Sequence, residues 1–373
     1  LPRTGAEGNG NERSTVKRIV VKVGSQVLCE EHGMLNISVL ASLAGQIADL
    51  AGEGWQVLLV TSGAVASGAG IMRSEAGARN LARIGNPVTR KQALAATGQV
   101  RLMETWRKFL AERGLTVAQV LTSRSDFQSR RHYLNMRACI EALLQAGIVP
   151  IVNENDVVAV TELMFTDNDE LAGLLSGMLN ADLLCLLSNV PGVLTGDSSC
   201  IPRWQEDRHQ LEELVLKGTS ALGRGGMHSK IGVARKAAGL GTEVVIADGT
   251  EPGILQQIVR GASVGTRFEA RRDAAPAKRW LAGAQSATAG SVIVNAGAEA
   301  ALLDRNRLAS LLPVGVESVQ GQFEKGDVIE IRNAAGRVLG CGRARYGHAE
   351  ARSLLGQRGQ KPLIHYDYLY LVP

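Results

Sequence analysis

The sequence predicts an α/β protein with a mainly parallel sheet, followed by a small β-rich domain. Three observations carry this expectation. Apolar, strand-like runs alternate with amphipathic segments of helical length from residue 18 to near residue 270. The first two strands run into small polar residues and glycine, in Val20-Val21-Lys22-Val23-Gly24-Ser25 and Val57-Leu58-Leu59-Val60-Thr61-Ser62-Gly63-Ala64. Composition then changes at Arg271-Arg272-Asp273-Ala274-Ala275-Pro276-Ala277, and short strands with turn residues follow.

Taken in order, residues 18–23 read as a buried strand. Residues 36–53 read as a helix, because Ile37, Leu40, Leu43, Ala44, Ile47 and Leu50 recur at helical spacing. Residues 57–61 are the next strand, so a βαβ unit is complete within the first 61 residues and its strands should be parallel. Helix 91–112 then leads to strand 116–121, and helix 131–145 to strand 148–152. Helix 169–179 leads to strand 183–187, and helix 229–238 to strand 243–247. In the tail, strands are expected at 291–294, 318–320, 328–332, 337–343 and 365–371. Gly326-Asp327 and Asn333-Ala334-Ala335-Gly336 punctuate them, as in a small β-barrel.

Composition narrows the function classes. Apolar residues make up 45% and charged residues 21% of 373 residues, which is ordinary globular usage and argues against wholesale disorder. The net charge of +5 is modest and spread along the chain, so nucleic acid is not an expected partner. No run approaches the roughly 18 apolar residues of a membrane span. The first 18 residues are polar and glycine-rich, without the apolar centre of a signal peptide. Cys29, Cys139, Cys185, Cys200 and Cys341 form no C-x-x-C pair, which fits a reducing, cytoplasmic setting. Cys139 and Cys185 lie among apolar residues and are expected to pack as small hydrophobes. His132, His209, His228 and His348 have no metal-ligand spacing, so no protein-held metal is expected.

The chemistry-bearing segments cluster at strand ends. Lys22 closes the first strand, at the edge where open α/β sheets bind ligands, and can balance charge on a transferring phosphoryl group, although a lysine can also simply snorkel from a strand end. Thr61-Ser62-Gly63-Ala64 offers N–H groups and hydroxyls after the second strand. A serine N-cap with a permissive glycine is the plain alternative. Asn153-Glu154-Asn155-Asp156 follows an apolar strand; Asp156 can pair with a substrate amine, although Asn and Asp also suit a plain turn. Asp167-Asn168-Asp169-Glu170 opens a helix, where capping is the bland alternative. Either aspartate can steer Mg2+ or position a lysine, and Asp167 is assigned the inward position toward Lys22 or Lys230. Gly223-Arg224-Gly225-Gly226-Met227-His228-Ser229-Lys230 is a glycine loop feeding a helix, with Lys230 able to bridge the phosphates of ATP; a solvent loop with a basic first turn is the plain alternative, and the loop alone names no nucleotide. Trp55 and Trp106 are expected to pack rather than stack on bases, and Arg343-Ala344-Arg345-Tyr346 is an exposed barrel edge or, less simply, an RNA contact.

In this order the segments resemble the glutamate 5-kinases of the amino-acid-kinase superfamily. Val-Lys-Val-Gly-Ser at 21–25, Val60-Thr61-Ser62-Gly63-Ala64, Asn135-Met136-Arg137, Pro150 through Val157, Asp167-Asn168-Asp169, and Gly225-Gly226-Met227 with Lys230 carry the likeness. Lys278-Arg279-Trp280 and Leu311-Leu312-Pro313-Val314-Gly315 resemble a PUA domain. The resemblance implies a three-layer sandwich kinase domain over 16–270 and a PUA β-barrel over 277–362. It implies ATP-dependent phosphorylation of the L-glutamate side-chain carboxylate, with Mg2+, on the way to proline. By likeness, Lys22, Asp167 and Lys230 are catalytic, and Ser62, Asp156 and Asn168 bind glutamate. Lys22, Ser188, Asn189, Gly225, Gly226, Met227 and Lys230 take the nucleotide. Proline inhibition, a homodimer or homotetramer, and a functional link to glutamyl phosphate reductase are implied as well. Ser188-Asn189 stands where the family has Thr-Asp, which removes a charge near the expected adenosine contacts. The alternatives are a kinase of another carboxylate or carbamate, or a noncatalytic RNA-binding regulator.

Overall fold

The computed structural model describes residues 16–128, 130–158, 167–196, 198–205, 226–271, 288–304 and 309–371. Its larger unit begins β1 (Arg18–Val23), α1 (Ser25–Leu28), α2 (Ile37–Gly52), β2 (Gln56–Thr61), α3 (Ala64–Ile71), α4 (Glu75–Ala82) and α5 (Pro87–Ala111). It continues with β3 (Val117–Thr122), α6 (Arg124–Gln128), α7 (Arg130–Gln145), β4 (Val149–Glu154), α8 (Asn168–Leu179) and β5 (Leu183–Ser188). α9 (Met227–Gly239), β6 (Glu243–Asp248), α10 (Ile254–Val259) and β7 (Thr266–Phe268) complete it.

The sheet order is β3-β4-β2-β1-β5-β6-β7. All neighbours are parallel except the short edge strand β7, which runs against β6. The chain builds outward from β1 through β2 and then places β5 on the other side of β1. The order therefore reverses at β1, and the crevice beyond its carboxyl end is where such sheets bind ligands.

Both faces of the sheet are covered, as the continuous apolar strands demand. Ile19, Val21, Val23, Val57 and Leu59 pack with α2, α5 and α10, through Leu43, Ile47, Leu102, Trp106 and Ile254. Val20, Leu58 and Val60 face the opposite way, onto α7, α8 and α9, through Ile140, Leu171, Leu175, Ile231 and Ala234. This is a three-layer sandwich. The main helices start where capping chemistry allows. Asn36 accepts the Val39 N–H at 3.2 Å ahead of α2, and Asn86 accepts two N–H groups ahead of α5, with Pro87 as its first residue.

The tail contains β8 (Gly290–Val294), α11 (Ala296–Leu303), β9 (Val316–Gly321), β10 (Val328–Asn333), β11 (Val338–Arg343), α12 (His348–Ser353) and β12 (Leu369–Leu371). They form a five-stranded sheet of order β12-β11-β10-β8-β9, mixed because β10 runs parallel to β8. Val292, Val294, Ile329, Ile331 and Leu339 from this sheet share a core with Leu311 and Ile364.

Helices α3, α4 and α10 and strand β7 are not expected from the sequence, and neither are α11 and α12 of the tail. Cys139, expected to pack as a small hydrophobe, is instead exposed on α7. Ile140 and Leu144 take the buried stripe of that helix, and Cys139 falls outside it. Cys185 is fully buried in β5, where burial pushes its thiol up to about 12. The domain boundary expected between 270 and 277 lies largely outside the described residues, as do Lys278, Arg279 and Trp280.

Candidate active site

The alternation of β1 decides where Lys22 points. It shares parity with Val20, so its side chain leaves the sheet on the α8 and α9 side. There its Nζ lies 2.5 Å from Oδ1 of Asp169, and Lys230 Nζ lies 3.1 Å from Oδ2 of the same carboxylate. Asp169 is completely buried, and Lys22 and Lys230 are 5% and 9% exposed. Three elements thus deliver one charge cluster: the end of β1, the first turn of α8 and the first turn of α9. Burial alone would push the Asp169 carboxyl up, but the two ammonium groups and their hydrogen bonds outweigh it and hold the carboxyl below its usual range. The cluster keeps a net positive charge beside two helix N-termini, an arrangement suited to phosphate.

The carboxylate between the lysines is therefore Asp169, and the inward position assigned to Asp167 from the sequence is corrected. Asp167 occupies the N-cap of α8, in extended conformation, where its side chain accepts the N–H groups of Asp169 and Glu170, each at 3.0 Å. It also accepts the Ser229 hydroxyl at 2.7 Å, tying the start of α8 to the start of α9. Burial, and then the neighbouring Asp169 charge, raise its carboxyl. The cap must stay outside the helix, and the inward position falls two residues later. The three-residue run Asp-Asn-Asp does not say by itself which aspartate does which.

A polar network lies on the β2–β4 side of Lys22. Gly63 precedes α3 with φ +100°, a left-handed conformation that favours glycine, and so turns the chain directly after Ser62. Asn168 Nδ2 donates to the Thr61 carbonyl at 2.8 Å, to Ser62 Oγ at 2.9 Å and to Asn153 Oδ1 at 2.9 Å. Asn153 Nδ2 donates in turn to Gln99 Oε1 on α5 at 2.8 Å. Trp106, fully buried on the same helix, donates to Thr61 Oγ1 at 3.1 Å. Asp156 is half-buried in the turn after β4. Gln92 of α5 steadies that turn by donating to the Val157 carbonyl at 2.7 Å.

α5 reaches this network because it lies against α3 with almost no space between them. An added Cβ on Gly98 would fall 1.9 Å from the Ala64 carbonyl oxygen, and one on Gly68 would fall 1.9 Å from the Leu94 carbonyl oxygen. Glycine is required at both positions because backbone meets backbone.

The remaining expected residues are spread along the same edge. Ser188 is buried at the end of β5, and Asn189 is exposed just beyond it. Gly226 caps α9, and Met227 is its first, half-buried residue; Gly225 lies outside the described residues. The structure thus brings Ser62 and Asn168 into one network and Lys22 and Lys230 into one cluster. Trp106 and Gln99 join the site only in the folded chain and are not singled out for it by the sequence, whereas Asp169 is named there as able to position a lysine. The signal that Gln99 does carry is an amide one turn ahead of Leu102 and Met103, on the stripe that continues through Trp106 and Leu110. The described residues contain no group of three or more His, Cys, Asp or Glu side chains placed to hold a metal ion.

Comparison with known proteins agrees with this architecture. The amino acid kinase family matches residues 17–248 and the PUA domain matches residues 290–366. A glutamate 5-kinase of Chlorobaculum tepidum is 47% identical over 366 residues, covering 97% of this chain and 99% of the relative. Those of Bacteroides thetaiotaomicron and Thermus thermophilus are each 39% identical, covering 95% and 96% of this chain and 98% of either relative. With a buried lysine pair at the sheet edge and near full-length similarity to these enzymes, the chain belongs to the amino acid kinase family, in its glutamate 5-kinase branch with a C-terminal PUA domain.

Proposed function

We infer that the chain transfers the γ-phosphoryl group of ATP to the side-chain carboxylate of L-glutamate, giving L-glutamyl 5-phosphate for proline biosynthesis. The observation that carries this reading is the Lys22–Asp169–Lys230 cluster at the carboxyl edge of β1. Phosphoryl transfer spreads negative charge over the moving group, and two fixed cations stabilise that charge most strongly where water is excluded. Asp169 sets their positions. Asp167 locks α8 to α9 through Ser229, so the lysine on α9 keeps its register with the carboxylate on α8.

ATP fits the residues present. Lys22 and Lys230 stand as a buried cation pair beside the N-termini of α8 and α9, a donor set that suits phosphate. Lys22, Lys230, Gly226 and Met227 would face the phosphates, while Ser188 and Asn189 would lie toward the nucleoside, with Gly225 assigned by likeness. Mg2+, which supplies charge neutralisation, would be held mainly by phosphate oxygens and water. On the other side of Lys22, Ser62 and Asn168 would hold the amino acid and Asp156 would pair with its ammonium group. That pairing predicts a free amine in the substrate and disfavours N-acetylglutamate.

The same reading extends to regulation and setting. Proline carries the α-carboxylate and an ammonium group of glutamate, so it suits the same residues as a feedback inhibitor. A homodimer or homotetramer, a cytoplasmic location and delivery of the labile product to a reductase belong to this proposal. No helix among the described residues is long and apolar enough to cross a membrane.

The test traps the acyl phosphate with hydroxylamine. Purified protein, ATP and Mg2+ should yield hydroxamate with L-glutamate and far less with N-acetylglutamate or L-aspartate. Faster turnover of N-acetylglutamate would overturn the substrate assignment, and no product from folded protein would overturn the reaction.

A further inference from the structure

The amide network beside Ser62 has a direction that its backbone partners dictate. The Thr61 carbonyl can only accept, so the Asn168 atom facing it is Nδ2. The Glu154 N–H can only donate, and at 2.9 Å it faces Oδ1 of Asn153. Asn153 must then offer Nδ2 to Gln99, which fixes Gln99 with Oε1 toward Asn153. Neither end of the relay is free to flip. Two buried atoms are left over: the donor Gln99 Nε2 and the acceptor Asn168 Oδ1 have no hydrogen-bond partner among the described residues.

An unmatched buried donor and an unmatched buried acceptor are costly, and a ligand that supplies both complements removes the cost. An α-amino acid carries such a pair on one carbon, a carboxylate that accepts and an ammonium that donates. The sheet order says which end of the substrate is involved. Lys22 lies on β1, Ser62 follows β2, and Asn153 lies on β4, next in the order β4-β2-β1. With strands spaced about 4.8 Å apart, the Asn153 end of the relay, where Gln99 joins it, lies roughly 10 Å from β1 across the edge, while Asn168 adjoins Asp169 nearer the lysines. The phosphoryl-accepting carboxylate belongs at the lysines, so the amino-acid head belongs at the relay.

We propose that Gln99 is a substrate-contact residue whose Nε2 donates to the α-carboxylate of L-glutamate, with Asn168 Oδ1 accepting from the ammonium group. This rests on the glutamate reading above and adds a specificity element on α5, away from the strand-end motifs. The contact rewards an α-carboxylate and gives nothing to a substrate that lacks one.

Two variants separate contact from scaffolding. Gln99→Glu keeps an oxygen for Asn153 Nδ2 but faces the substrate carboxylate with negative charge. Gln99→Met keeps the length of the side chain and loses both functions. If Gln99 contacts substrate, the glutamate KM rises by about 10–100-fold in the Met variant and further in the Glu variant, while the ATP KM stays within about threefold. If Gln99 only supports Asn153, the order reverses, because Glu preserves that bond and Met does not. A reversed order overturns the proposal, and so does a glutamate KM within about threefold of the parent in both variants. Should a variant fail to fold, the parent protein still decides the matter through competition by 4-aminobutanoate, which is glutamate without its α-carboxylate. Competition at least about tenfold weaker than that of glutamate supports the contact, and equal competition overturns it. Ser62→Ala separates the two layers of inference. If it raises the glutamate KM while both Gln99 variants do not, only the Gln99 assignment fails; if the parent does not phosphorylate glutamate, the underlying reading fails.

Discussion

Replacing Asp169 by Asn keeps the shape of the side chain and removes the charge that Lys22 and Lys230 share. Both lysines are nearly inaccessible to water, at 5% and 9% exposure, so neither can recover its lost partner by hydration. Breaking a buried ion pair from one side costs about 3–5 kcal/mol. The asparagine oxygen still offers one lysine a hydrogen bond, so the lower end applies, about 3 kcal/mol. In a domain of this size that corresponds to a Tm about 6–12 °C lower. The pH dependence carries the sign. A carboxyl held below its usual range in the folded chain stabilises above the unfolded value of about 3.9 and loses that effect as pH falls through the lower folded value. Thermal melts of parent and variant should therefore differ by a constant amount between about pH 6 and 8 and converge in acid. The kcat should fall by about 100-fold or more, since the lysines lose their fixed positions. A variant that melts with the parent at neutral pH, or a gap that widens on acidification, would refute the reasoning.

Further outcomes follow from the same geometry. Lys230→Ala should lower kcat by about 100–1,000-fold while the glutamate KM changes little, because charge on the phosphoryl group develops in the transition state; steady-state kinetics on both substrates decides it. Asp156→Ala should raise the glutamate KM by about 10–100-fold and leave the ATP KM nearly alone, as substrate titrations at saturating ATP would show. Asp167→Ala should cost about 1–2 kcal/mol through loss of the α8 cap. Asp167→Asn should cost less than half of that in denaturant titration, because burial and Asp169 already disfavour the Asp167 charge. Gly98→Ala puts a methyl group against the Ala64 carbonyl oxygen and should destabilise by about 1–3 kcal/mol. It should also raise the glutamate KM, since α3 and α5 move apart beneath Ser62 and Gln99.

The strands and long helices of the kinase unit are legible because their periodicity is set by burial on two faces. Lys22 is legible for the same reason, as a charge closing an apolar strand. α3 is not, because Ala-Val-Ala-Ser-Gly-Ala-Gly-Ile has weak helical preference and its shape follows from contact with α5. β7 has only three residues and exists through pairing with β6. The inward place assigned to Asp167 falls to Asp169 because either aspartate of the run can position a lysine, and only the helix start at Asn168 decides which one caps and which one turns inward. Gln99 is hidden for a different reason: it lies in the middle of a helix, far from every glycine-marked strand end, and becomes meaningful only when Asn153 and Asn168 are folded beside it. Cys139 shows the opposite error, since apolar neighbours in sequence do not fix its side of α7.

The charge cluster has a thermodynamic consequence of its own. β1, α8 and α9 contribute one side chain each to it, so an anion bound there joins a strand to two helices that are distant in the chain. The unfolded polypeptide offers no such convergence. Occupancy is therefore linked to folding: nucleotide at about a hundred times its Kd would add about 2.7 kcal/mol to native-state stability. Loss of nucleotide would withdraw that increment and return the chain to its unliganded stability.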